Sequence, residues 1–156
     1  MTSKKPPPLR VALIQCAALT PAHRDLEVFL STDPALAWVG AISADTATLQ
    51  SLAISKPAIV VADLRVAGSV DPARVFREVL TASPATQIVA ICAPGDEDGA
   101  KHALAAGAAA CLTRQSDPLA VLRAINDVMR GRMHLSPTGQ RAIRDVLNPA
   151  LSPRRR

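Results

Sequence analysis

The run VVADLRVAGS, residues 60–69, carries apolar residues up to a single carboxylate, Asp63, and then breaks at Ala67-Gly68. Pro57 stands before the run and Asp71-Pro72 after it. A short apolar run bounded by turn residues reads as a strand buried on both faces, which puts Asp63 at the rim of a sheet. The same unit recurs on either side. Apolar runs at residues 9–14 and 37–42 precede it, and runs at 87–91 and 108–112 come after, with the strand itself over 58–62.

Helical patterns fill the gaps. Residues 22–30 place Leu26, Phe29 and Leu30 on one face, and residues 44–54 form a helix capped by Asp45. Asp71-Pro72 supplies a cap acceptor and a first-turn proline, followed by Val75, Val79 and Leu80 on an apolar face. Asp96-Glu97-Asp98 brings negative charge to the start of a helix that Gly107 ends. Asp117-Pro118 opens a last helix reaching residue 130, with Leu119, Leu122, Ile125 and Val128 spaced for burial. Five β-α units in a row predict an α/β fold of flavodoxin-like type: a doubly wound, five-stranded parallel sheet, order 2-1-3-4-5, with helices on both faces. In such sheets ligands and chemistry collect outside the carboxyl ends of the strands, where Asp63 lies.

A chain of 156 residues suits one domain, and its core must be aliphatic, since 49% of residues are hydrophobic but only 2% aromatic. The net charge of +5 is accounted for by Lys4, Lys5, Arg154, Arg155 and Arg156; the other 13 basic residues balance the 13 acids. Basic ends on a neutral body make a weak electrostatic tail, not a nucleic-acid stripe. Residues 1–8 read as a disordered, proline-bearing leader, residues 9–135 as the domain, and residues 136–156 as a short helix and basic tail. The apolar run from Val11 to Ile14 is too short for a signal sequence, and no segment reaches membrane-spanning length. Three cysteines without C-x-x-C spacing fit a reducing cytoplasm.

In order and spacing, these segments resemble a response-regulator receiver domain of bacterial two-component signalling, of the type that usually precedes a LuxR-like DNA-binding domain. The resemblance spans Leu9 to Pro137. It rests on VVADLRVAG, where the family has an acceptor aspartate followed by Leu-Arg-Met-Pro-Gly. Ala105-Ala106-Gly107-Ala108 matches the turn into the fifth strand, and Asp117-Pro118 through Gly131, then His134-Leu135-Ser136-Pro137, match the final helix and exit segment. Only 19 residues come after that exit, too few for a helix-turn-helix, so specific DNA binding is not expected.

The resemblance implies phosphoryl transfer to Asp63, which requires Mg²⁺ and cationic groups to offset charge on the phosphoryl oxygens. This sequence departs from the pattern at each supporting position. Gln15-Cys16 replaces the acidic pair after the first strand, and the next acid is Asp25. Cys92 stands for the strand-four hydroxyl, Arg114 for the strand-five lysine, and Cys111 for the aromatic residue that reports phosphorylation. The expectation is a degenerate receiver with no metal and no cofactor, in which Asp63 is a phosphoacceptor equivalent paired with Arg114 across the rim. Cys16 and Cys92 near Asp63 read as core thiols, because zinc would need four ligands. His23, His102 and His134 read as solvent-facing. No phosphate loop or nucleophile elbow is present.

The sequence therefore points to a stand-alone interaction module, not an enzyme, in cytoplasmic signalling. Its partner surface is expected on the last two α/β units, with Asp96, Glu97, Lys101 and Arg123 as charged rim; the partner is a protein, a second copy included. The alternatives are an active phosphoacceptor using Asp63 and a small-ligand sensor using the vacated crevice beside Gln15, Cys16 and Cys92.

Overall fold

A computed structural model describes residues 7–15, 21–63, 71–92, 95, 97–113, 118–135, 140–141 and 144. The chain runs β1 (Leu9–Gln15), α1 (Pro21–Thr32), β2 (Leu36–Ser43), α2 (Thr46–Gln50), α3 (Leu52–Ser55), β3 (Ile59–Asp63) and α4 (Pro72–Ala82). It continues through β4 (Gln87–Cys92), α5 (Glu97–Ala105), β5 (Ala110–Thr113), α6 (Pro118–Met129) and β6 (His134–Leu135). The first five strands lie parallel in the order β2-β1-β3-β4-β5, as the β-α alternation predicts.

Three local features depart from the expectation. The helix expected over 44–54 is two helices: Asp45 caps α2 by accepting from the Thr48 N–H at 2.9 Å, but Ser51 interrupts the helical run. Its hydroxyl donates to the Thr48 carbonyl at 2.6 Å, and its N–H to the same oxygen at 3.1 Å, giving a tight turn between α2 and α3. Leu119 is 56% exposed, and the buried stripe of α6 is Val121, Ala124, Ile125 and Val128. Steps of three drift by about 60° each around a helix, so Leu119 faces away from Val128.

The third departure is β6, which lies where only an exit segment was expected. Gly131, at φ 75, turns the chain after α6, and the Arg132 N–H closes that turn on the Asp127 carbonyl at 2.8 Å. His134 and Leu135 then pair in parallel with Ala110 and Cys111 on the outer side of β5. Among the described residues the sheet has six strands.

The sheet separates two cores by strict alternation. Ala12, Ile14, Val60, Ala62, Ile88, Ala90, Cys92 and Cys111 join residues of α2, α3, α4 and α5 in one cluster. Val11, Leu13, Ile59, Val61, Val89, Ile91, Ala110 and Leu112 join α1 and α6 in the other. Leu26 and Leu30 of α1 and Val75 and Val79 of α4 are buried as their spacing predicts. Phe76 is fully buried in the first cluster, whose sheet side is rich in alanine, so an aromatic ring fits where larger strand residues would leave no room. Gly107 ends α5 at φ 109; a Cβ there would meet Leu80 Cδ1 at 3.3 Å.

Candidate functional site

The strand order reverses between β1 and β3, and Asp63 sits at that switch point. Register places Gln15, the last residue of β1, directly beside Asp63, the last residue of β3. On the other side Asp63 is level with Ile91, so Cys92 extends one residue further, and Cys92 is level with Thr113 of β5. Neighbouring strands are about 4.8 Å apart, so this carboxyl rim brings Gln15, Asp63 and Cys92 onto successive strands. These are the residues that the sequence assigns to the degenerate site. Their backbones share the rim; Cys16 and Arg114 lie outside the described residues, and with them the expected Asp63–Arg114 pair.

The register puts an amide residue, Gln15, beside the carboxylate residue Asp63. A hard divalent cation is held by several oxygens, of which carboxylates contribute charge as well as geometry. Among the described residues, no group of three or more His, Cys, Asp or Glu side chains is placed to hold a metal ion. The grooves on either side of α4 are elsewhere: one of about 500 Å³ is lined by Gln50, Ala53, Arg74, Arg77, Glu78, Thr81 and Ala82. The groove toward α5 is lined by Ala73, Arg77, Leu80, Thr81, Ala105 and Ala106.

Sequence reasoning grouped Cys92 with Cys16 by their strand ends. Cys16 lies outside the described residues; the structure brings Cys92 to Cys111, with the two sulfurs 3.2 Å apart in the core. Their spacing on adjacent parallel strands carried the signal, but only once the β4–β5 register was known.

The expected partner surface is divided by the sheet. Glu97 and Lys101 are one turn apart on α5, whereas Arg123 is exposed on α6, across the sheet. Asp96 lies outside the described residues. Between the two helices the outer side of β5 is already covered by β6. Glu97 accepts from Arg141 Nε at 2.8 Å, and Gln140 Nε2 donates to the Leu135 carbonyl at 3.3 Å. Arg141 thus lies against the start of α5, and Gln140 against β6. This contact was not legible in advance, because nothing local in PTGQRAIRDVL marks Arg141 as a partner of Glu97.

No protein-family model matches the sequence, and no curated protein matches it either. Solved structures do. A LuxR-family two-component response regulator from Aurantimonas sp. SI85-9A1 is 24% identical, with 90% of this chain and 99% of that chain covered at a TM-score of 0.71. The signal receiver domain of the putative response regulator NarL from Mycobacterium tuberculosis is 25% identical, covering 81% of this chain and 100% of that one at 0.66. The response regulator ChrA of a heme-sensing two-component system is 21% identical over 96% of this chain and 69% of its own, at 0.67. The fold is that of response-regulator receiver domains, including those of LuxR-type regulators.

Proposed function

We propose that this chain, with the fold of a receiver domain, is a degenerate receiver that signals without phosphorylation, as a cytoplasmic protein-interaction module. The observation that supports this most is the rim register: Gln15 sits beside Asp63 at the switch point. Gln15 and Cys16 occupy the positions where a phosphoacceptor needs Mg²⁺-binding carboxylates. Cys92 offers a phosphoryl oxygen only a weak S–H donor in place of a hydroxyl. Readout is weakened separately, since the aromatic position is Cys111 and its side chain is fully buried.

The surface that fits a protein partner is that of α5 and α6 around the covered edge of β5. Charge from Glu97 and Lys101 on one side and Arg123 on the other would orient the partner.

The test is incubation of the full chain with acetyl phosphate and Mg²⁺, read by intact-mass spectrometry at neutral pH. The unmodified mass is expected throughout, with no saturable shift of the Asp63 amide in millimolar Mg²⁺. A phosphoryl adduct that disappears in Asp63→Ala would overturn the proposal and make the chain an active receiver.

A further inference from the structure

The two thiols that stand for a hydroxyl and an aromatic ring lie against each other beneath α5. Cys92 is the last residue of β4 and 2% exposed; Cys111 is inside β5 and 0% exposed. Their Sγ atoms are 3.2 Å apart, closer than the roughly 3.5–4.0 Å at which non-bonded heavy atoms rest. Register explains the meeting. Cys111 is level with Ala90 and Cys92 with Thr113, so the cysteines are offset by two residues. Side chains alternate with period two, and an even offset keeps both on one face. That face is the cluster containing Ala90, Ala100 and Ala103.

We propose that Cys92 and Cys111 are a dithiol pair that a peroxide converts to a reversible disulfide within one chain. Cys92 is the end attacked first, since it is the last residue of β4, at the carboxyl rim, whereas Cys111 lies inside β5. Its thiolate displaces hydroxide from hydrogen peroxide and becomes a sulfenic acid. The Cys111 sulfur then attacks the Cys92 sulfur; the S–S bond forms, the S–O bond breaks, and the Cys111 proton leaves with the hydroxyl as water. The sum is two thiols and one peroxide giving one disulfide and two waters, the pair losing two electrons and the peroxide gaining them.

Closure requires the sulfurs to approach by about 1 Å, to the ordinary S–S bond length near 2.05 Å. Side-chain rotation supplies part of this. The rest can come from β5, a four-residue strand held on its outer side by only the two residues of β6. The bond would tie β4 to β5 under Ala100 and Ala103, both fully buried, so oxidation reaches α5 and the Glu97–Arg141 contact. None of this depends on whether Asp63 accepts a phosphoryl group.

The experiment uses the full chain carrying Cys16→Ala, which leaves this pair as the remaining thiols. The protein is treated with hydrogen peroxide, freed of oxidant, denatured with iodoacetamide and weighed. The expected result is a mass loss of about 2 Da, no added alkyl group, and recovery of two alkylation sites after dithiothreitol. Peptide mapping should join the segments containing Cys92 and Cys111, with the chain monomeric on a non-reducing gel. Two alkyl groups after oxidation, a product halted at Cys92 sulfinic acid, or a disulfide between chains would each overturn the proposal. Single Cys92→Ala and Cys111→Ala variants supply a second reading: each should gain oxygen or stay reduced, and neither should lose hydrogens within one chain. An unchanged far-ultraviolet circular dichroism spectrum shows that the oxidised pair belongs to folded protein.

Discussion

Among the described residues, Thr86 is one of two buried polar side chains, and its hydroxyl joins two turns at the amino ends of adjacent strands. It donates to the Pro57 carbonyl at 2.7 Å, just before β3, and shares a second hydrogen bond of 2.7 Å with the Ser83 hydroxyl after α4. Both Thr86 and Ser83 are buried. Replacing Thr86 by Val keeps the shape and strands the Pro57 oxygen without its donor. The expected loss is about 1–3 kcal/mol, measured by urea denaturation; a change below about 0.5 kcal/mol would show that water replaces the hydroxyl. At the opposite, carboxyl ends of the strands the side chains matter by type. An amide and thiols stand where the receiver pattern has carboxylates, a hydroxyl and an aromatic ring, and the proposed loss of metal binding rests on those residue types.

Among the elements, α6 shows how a sequence pattern can mislead and how the outcome is tested. Leu119, Leu122, Ile125 and Val128 repeat every three residues, a spacing that walks around the helix. Val121, Ala124, Ile125 and Val128 follow the i, i+3, i+4, i+7 pattern of a buried stripe and are the residues that the structure encloses. Leu119→Gln should therefore change stability by less than about 0.5 kcal/mol, whereas Ile125→Ala should cost about 2–5 kcal/mol. Thermal and urea unfolding of the two variants would check the contrast. Other elements were legible because their signals are local: Asp71-Pro72 starts α4, and the Asp71 carboxylate accepts from the Ala73 N–H at 3.0 Å. Asp45 caps α2, and the Thr48 backbone and then its hydroxyl hold the Asp45 carboxyl below its usual range. What depends on register between strands was not legible. The Cys92–Cys111 approach and the pairing of β6 arise from residues far apart in sequence, and no composition or periodicity encodes their offset.

At the scale of the molecule, the chain folds back on its own sheet edge. The pairing of β6 satisfies backbone groups on β5 that would otherwise invite another strand, and Arg141 adds an ion pair on the side of α5. At Ala110 and Cys111 a partner of the α5–α6 region therefore meets β6, not the edge of β5. The alternation that sorts Phe76 to one side of the sheet and Ile125 to the other has an energetic consequence as well. Among the described residues the two cores are divided by the sheet, whose inner strands β1, β3, β4 and β5 are paired on both sides. Free-energy losses from the two cores should sum independently. In a double-mutant cycle, Phe76→Leu combined with Ile125→Val is expected to give a coupling energy within about 0.5 kcal/mol of zero. Phe76→Leu combined with Val79→Ala, one turn away in the same cluster, should depart from additivity. A sheet that behaves thermodynamically as a partition lets each layer accumulate substitutions on its own account, and the rim can change its chemistry while the cores beneath it keep the fold.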